Sequence, residues 1–145
     1  MHSRIKERLT AEQGFTLIEL LVVIIILGVL LAIAVPSYLG FKDRADKSAA
    51  QANVRGIIPD VEAYYSDNSG TATDADSNAS TSGYQGMTLA LLQSTYDQAL
   101  DTSKYALSGT TASTYCMSSA SGKWTAKKTG PASQIATSSA SGFGC

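Results

Sequence analysis

Between Leu17 and Val35 the chain runs nineteen residues in which only Glu19 and Gly28 interrupt a series of Leu, Ile, Val and Ala. As a helix rising about 1.5 Å per residue, this run extends roughly 28 Å, the thickness of a bilayer's hydrocarbon core. A chain of 145 residues with such a segment has room for one modest water-soluble domain besides it. The anomaly is Glu19, a carboxylate two residues inside the run. A charge deep in a span costs on the order of 2.5–3.5 kcal/mol on insertion scales, so an acidic residue there marks a function.

Composition excludes more than it suggests. The formal net charge is −1, which gives no electrostatic preference for nucleic acid, and no specific nucleic-acid site is evident. Beyond Ser69 the chain is dominated by Ser, Thr, Ala and Gly. The single histidine, His2, precedes the apolar run, and no Gly-rich phosphate loop or metal-ligand cluster follows. Asp74, Asp76 and Asn78 mimic the start of a calcium loop, but Ala79 and Gln85 stand where its Gly and closing Glu belong. The expectation is a non-enzyme with no cofactor and no metal. Cys116 and Cys145 form an even, late pair in a chain led by a hydrophobic segment, which reads as a disulfide. Closing that loop contributes roughly 3.5–4 kcal/mol in the chain-entropy model. Two separate buried thiols are the alternative.

The first fourteen residues, MHSRIKERLTAEQG, are short, polar and basic. An ordinary signal peptide has an apolar centre of about 7–15 residues and a small-residue cleavage site after it. Here the run is longer and Tyr38-Leu39-Gly40-Phe41 follows it, so the run is expected to stay as an anchor. Arg4, Lys6 and Arg8 before the run balance Lys42, Arg44 and Lys47 after it, and the positive-inside rule alone does not orient the span. The late cysteines favour the oxidising side, which leaves the N-terminus cytoplasmic.

The segment Gly14-Phe15-Thr16-Leu17-Ile18-Glu19, followed by a long apolar helix, resembles the N-terminal motif of type IV pilins and related pilin-like proteins. The resemblance covers about residues 10–45. It implies cleavage by a prepilin peptidase between Gly14 and Phe15, with N-methylation of Phe15. It also implies an assembly role for Glu19, whose partner would be the free amine of Phe15 in another copy. Gly28 and Pro36 match a helix glycine and a helix-interrupting proline of the family. On physical grounds they weaken the helix and give it a place to kink or lose hydrogen bonds.

After Pro36 the pattern turns amphipathic. Phe41, Ala45 and Ala49 form one i, i+4 row; Ala50, Val54, Ile58, Val61 and Tyr65 form another. Pro59 predicts a second kink, and Asn68-Ser69-Gly70 a C-terminal cap. The domains expected are a cleaved leader (1–14), a transmembrane or filament-core helix (15–41), an amphipathic half (42–69) and a head (70–145). Within the head, residues 70–86 read as an exposed loop and about 87–94 as a short helix. A sheet follows over about 104–137, in three or four short strands with turns at Gly109, Gly122 and Gly130-Pro131. The fold class is α+β, a long N-terminal helix packed on a small antiparallel sheet, as in the pilin fold.

The reading of function is a structural subunit that polymerises with itself through its N-terminal helix into a cell-surface filament for adhesion, motility or DNA uptake. Its partners would be the prepilin peptidase, the pilus assembly machinery and the inner membrane before assembly. The alternatives are a pseudopilin of a type II secretion or competence system and an anchored binding module that never polymerises. The major secretion pseudopilins tend to bind calcium and to lack a C-terminal disulfide.

Overall fold

Residues 14–70 and 76–145 are described by the computed structural model. Residues 1–13 of the expected leader, and Asp74 of the calcium-like sequence, lie outside them. The class is α+β: helix α1 (Leu17–Asp67), helix α2 (Leu89–Thr95) and strands β1 (Tyr105–Ser108), β2 (Cys116–Ser121), β3 (Trp124–Thr129) and β4 (Ala136–Ser138). The chain divides into two compact units at Gly40/Phe41.

In the first unit, every residue from Gly14 to Gly40 is exposed. α1 is the one helix among the described residues that is long and apolar enough to cross a membrane. It is helical through Gly28 and Pro36 without a break, so the expected local loss of helix is not present in this chain on its own. Proline's fixed φ is compatible with a helix; its cost is one donor and crowding of the carbonyl four residues back.

The second unit is built on a four-stranded antiparallel meander in the order β1-β2-β3-β4. Strand alternation gives the sheet two faces. One carries Tyr105, Ser119 and Ala126, which are in register across three strands. It meets α1: Asn53 Nδ2 donates to Ser119 Oγ at 3.1 Å, and Ala126 packs with Ala50 and Val54. The main core joins Ile57, Val61 and Tyr64 of α1 to Tyr84, Met87, Leu92, Leu100, Tyr115 and Met117.

The buried stripe of α1 is Ala50, Val54, Ile57, Val61 and Tyr64, not the i, i+4 row ending in Ile58 and Tyr65. Four residues advance a helix by about 400°, so repeated i+4 steps overshoot by about 40° each, whereas alternating steps of four and three hold the face. The row Phe41, Ala45, Ala49 is exposed, and Asp43, Asp46 and Lys47 are half-buried instead. Pro59 also sits within an unbroken helix. It lies on the exposed face above the exposed Arg55, whose carbonyl loses the bond.

The segment expected as an exposed loop over 70–86 is not exposed throughout. Gly83 and Tyr84 are buried. The Tyr84 ring lies 4.6 Å from that of Tyr65 and 4.7 Å from that of Tyr115, so this stretch supplies the core with an aromatic side chain. α2 begins at Leu89 because Thr88 caps it, its side chain accepting from Leu91 N–H.

Candidate functional site

Gly14, Phe15 and Thr16 precede the helix and are exposed, Phe15 to 88%. The junction between Gly14 and Phe15 therefore lies in non-helical, accessible chain. Immediately after it, Thr16 and Glu19 hold each other. Thr16 N–H and Oγ1 donate to Glu19 Oε2 at 2.9 and 2.8 Å, and Glu19 N–H donates to Thr16 Oγ1 at 3.2 Å. Leu20 N–H reaches Thr16 O at 3.3 Å. This is a reciprocal capping box, with Thr16 as N-cap and Glu19 at the third helical position.

The capping box changes the reading of Glu19. The carboxylate is not without a partner in the single chain; one oxygen serves the first turn of its own helix. A negative group at a helix N-terminus is also favoured by the helix dipole. The Thr-x-x-Glu spacing ahead of an apolar run was a legible sign of this box, and Thr16 is the residue that sequence reasoning missed. Ten and seventeen residues further into the chain than Ile18 and Glu19 respectively stand Gly28 and Pro36. A Cβ added at Gly28 meets no atom within 4 Å, so nothing inside the chain demands a glycine there.

In the second unit the β2–β3 turn is latched to α1. Asp43 Oδ1 accepts Trp124 Nε1–H at 3.0 Å and pairs with Lys123 Nζ at 2.7 Å. Lys47 Nζ lies 4.8 Å from the centre of the Trp124 ring, and Lys42 pairs with Asp46 at 2.9 Å. Hydrogen bonds from Lys123 and then Trp124 hold the Asp43 carboxyl below the usual carboxylate range. Gly122 takes φ +56°, and a Cβ on it would lie 2.2 Å from Asp46 Oδ2, so the turn approaches the helix closely.

The C-terminal end of α1 is clamped as well. Asn68, buried, directs its side-chain amide at Gly83 O (3.0 Å), Gln85 O (2.9 Å) and Tyr64 Oη (3.2 Å). Tyr64 Oη–H donates to Gln85 O at 2.6 Å, and Tyr84 Oη–H to Glu62 Oε2 at 2.9 Å. Burial pushes the Tyr115 hydroxyl up to about 12. Burial, then the Glu62 carboxylate, raises Tyr84 still further above its ordinary value. Cys116 and Cys145 are joined in a disulfide, and Cys145 N–H donates to Ser118 Oγ at 3.0 Å. Lys128 is buried and pins the β3–β4 turn through Pro131 O (2.8 Å) and Ser133 O (2.7 Å). Nothing in the strand pattern singled out that lysine.

No group of three or more His, Cys, Asp or Glu side chains among the described residues is placed to hold a metal. Asp76 instead binds its own loop, accepting from Asn78 N–H at 3.0 Å and from Thr81 Oγ1.

A family profile described as the prokaryotic N-terminal methylation motif matches residues 9–35. The chain is 43% identical over 58 residues to the type II secretion system core protein G of Dickeya chrysanthemi, covering 40% of this chain and 38% of that one. The protein of the same name from Escherichia coli (strain K12) is 40% identical over 57 residues, 39% of each chain. The type IV major pilin protein PilA of Myxococcus xanthus (strain DK1622) is 38% identical over 56 residues, 39% of this chain and 26% of that one. The matched part thus spans well under half the length of these curated relatives. No solved structure matches the chain. Over its N-terminal two-fifths the chain is thus similar to prepilin-like proteins, named both as pilin and as secretion core protein, and its apolar N-terminal helix with a small antiparallel sheet is a pilin-like arrangement.

Proposed function

We propose that this chain is the precursor of a type IV pilin subunit. A prepilin peptidase removes residues 1–14, Phe15 is methylated, and residues 15–41 anchor the product in the cytoplasmic membrane with the N-terminus inside. The subunit then polymerises with itself into an extracellular filament, its helix leaving lipid for a bundle of identical helices.

One observation carries this reading: from Gly14 to Gly40 the chain is apolar but for a few positions, and no residue of it is covered. Glycine costs a helix about 1 kcal/mol relative to alanine, and Gly28 has no neighbour in the chain to compensate. Small residues let helices approach closely in lipid or in a bundle, so the compensation lies in contact with another molecule. Within the head unit, Ala45, Ala49, Ala52 and Gly56 form a small-residue face of their own on the exposed side of α1. Glu19 has one oxygen on its capping box and a second oxygen to offer the amine of Phe15 in a neighbouring copy.

The test separates capping from docking. Glu19→Gln keeps an acceptor for the capping box and removes the charge; Glu19→Ala removes both. Filaments sheared from cells should be lost in both variants. Normal assembly with Glu19→Gln would show that the charge has no docking role. Intact mass of the native subunit should show loss of residues 1–14 and one added methyl group.

The relatives named as type II secretion core proteins favour a second reading, a pseudopilin. The Cys116–Cys145 bond tilts toward the pilin. Deleting the gene decides between them: loss of surface filaments with intact protein secretion supports the pilin, and the converse supports the pseudopilin.

A further inference from the structure

The chain contains three asparagines, Asn53, Asn68 and Asn78. The side-chain nitrogen of Asn53 is committed to Ser119, and that of Asn68 is buried against three acceptors. Asn78 differs in both sequence and environment. It alone is followed by x-Ser, in Asn78-Ala79-Ser80, the spacing that N-linked glycosylation requires. Residues 77–80 are all exposed.

The backbone presents this asparagine in one posture. Asp76 Oδ1 accepts its main-chain N–H at 3.0 Å. Its own Oδ1 accepts Ser80 N–H at 3.0 Å, and its carbonyl accepts from Thr81 N–H at 3.2 Å and Thr81 Oγ1 at 2.8 Å. Every polar group of Asn78 is engaged by its own loop except the amide nitrogen Nδ2. The Ser80 hydroxyl is likewise unengaged among the described residues. The nucleophile and the hydroxyl that a transferase reads are thus the two groups the loop leaves outward.

We propose that Asn78 is an acceptor for an N-linked oligosaccharide. The donor class is a polyprenyl diphosphate-linked sugar. Asn78 Nδ2 forms a bond to the anomeric carbon as the bond from that carbon to the diphosphate oxygen breaks. The lipid diphosphate leaves with the electron pair, and one amide proton passes to a base of the transferase. Asp76, two residues before the acceptor, fixes its posture: Oδ1 accepts the Asn78 N–H and Oδ2 accepts from Thr81 Oγ1. The compartment rests on the anchored reading above, which puts the disulfide-bonded head and a lipid-linked donor on the same side of the membrane.

The experiment is mass spectrometry of the native protein from its own cells, in wild-type and variant form. The expected result is a sugar-bearing peptide containing Asn78, absent in Asn78→Gln and in Ser80→Ala, retained in Ser80→Thr, and several-fold less occupied in Asp76→Asn. An amidase that releases N-linked glycans should convert Asn78 to Asp. A native mass equal to the processed polypeptide overturns the proposal, as does sugar that survives Asn78→Gln and is therefore attached through a hydroxyl. Cleavage of the head by protease added to spheroplasts is scored in parallel. An accessible but unmodified head overturns the glycan alone, and a protected head overturns the anchored orientation.

Discussion

The two units of this chain meet opposite standards. In residues 41–145, side chains find their partners within the chain: Tyr84 between Tyr65 and Tyr115, Asn68 on the loop at Gly83 and Gln85, Trp124 on Asp43, Cys116 on Cys145. In residues 14–40, the large apolar side chains have none; Ile24, Leu30 and Ile33 are all more than half exposed. A unit that satisfies itself can be understood from its own packing. A unit that leaves its apolar surface bare is shaped for a surrounding it does not contain. Substitutions should therefore read out as stability in one unit and as assembly in the other.

The largest stability effect expected is for Tyr84→Ala, which empties an aromatic site at the centre of the core and leaves Glu62 without its hydroxyl partner. Loss of a buried aromatic costs about 3–5 kcal/mol. Denaturant unfolding of the full chain in detergent, followed by near-ultraviolet circular dichroism of the head, measures it. Ile24→Ala, made in parallel, should leave that unfolding curve unchanged and should lower filament yield. A shift of the head's midpoint by Ile24→Ala would break the comparison.

Next is the disulfide. Cys116→Ser with Cys145→Ser should destabilise the head by roughly 2–4 kcal/mol. The same variant should leave membrane anchoring intact in a carbonate-extraction assay, because the disulfide lies wholly within the head.

Much of this difference was legible in the sequence. The apolar run, the motif from Gly14 to Glu19, the late cysteines and the turn glycines place the main elements to within a few residues. The helix stripe was legible only in part: Ala50, Val54 and Val61 were candidates, but its face depends on the 4-3 alternation that selects Ile57 and Tyr64 over Ile58 and Tyr65. Phe41 was hidden for a related reason. The sequence placed it in an apolar row with Ala45 and Ala49, whereas the half-buried face there is polar, because Asp43 and Lys47 meet Trp124 and Lys123. Tyr84 follows directly on a polar Ser/Thr/Ala stretch, where composition points to a loop and only tertiary packing reveals an anchor. Of the candidate site, the capping box was written in Thr16 and Glu19 and was overlooked because the acidic residue drew attention to its charge rather than to its spacing.

Glycines sharpen the comparison at intermediate size. Gly122→Ala forces a side chain into the left-handed region and against Asp46, and should destabilise the head by about 1–2 kcal/mol. Gly28→Ala meets open space and removes a helix-weakening residue, so it should strengthen the isolated helix by about 1 kcal/mol. If the proposed bundle forms, filament yield should nonetheless fall, since the added methyl would enter the contact with a neighbouring helix. Helicity in detergent and sheared-filament yield should move in opposite directions. An unchanged filament yield would remove the reason given for this glycine.

The head's tyrosines set an alkaline limit. The Tyr115 hydroxyl ionises at about 12 when folded and near 10 when unfolded, the folded value being raised by burial. A raised folded value means that the folded state resists losing the proton, so this contribution is whole below about 10. It is lost as pH rises from there through about 12. Tyr84 acts in the same direction. Stability measured against pH should fall on the alkaline side, and Tyr115→Phe should flatten that fall.

The smallest effect expected is at the latch, and the protein carries its own reporter, because Trp124 is the single tryptophan. Asp43 is held below the usual carboxylate range by Lys123 and Trp124. A lowered folded value contributes stability that is whole above the unfolded carboxylate value and is lost as pH falls through the folded one. The indole N–H resonance of Trp124 should therefore hold its position through mildly acidic pH and move only below the usual carboxylate range. Asp43→Asn retains an oxygen for the indole and removes the titration, so its resonance should be flat over the same window while global stability changes little. High salt should weaken the Lys123 pair and bring the wild-type transition upward, since the pair is partly exposed and screened. Movement of the indole signal at the same low pH in Asp43→Asn would assign the transition to general acid unfolding. The latch would then be a packing contact at Gly122 rather than an electrostatic one.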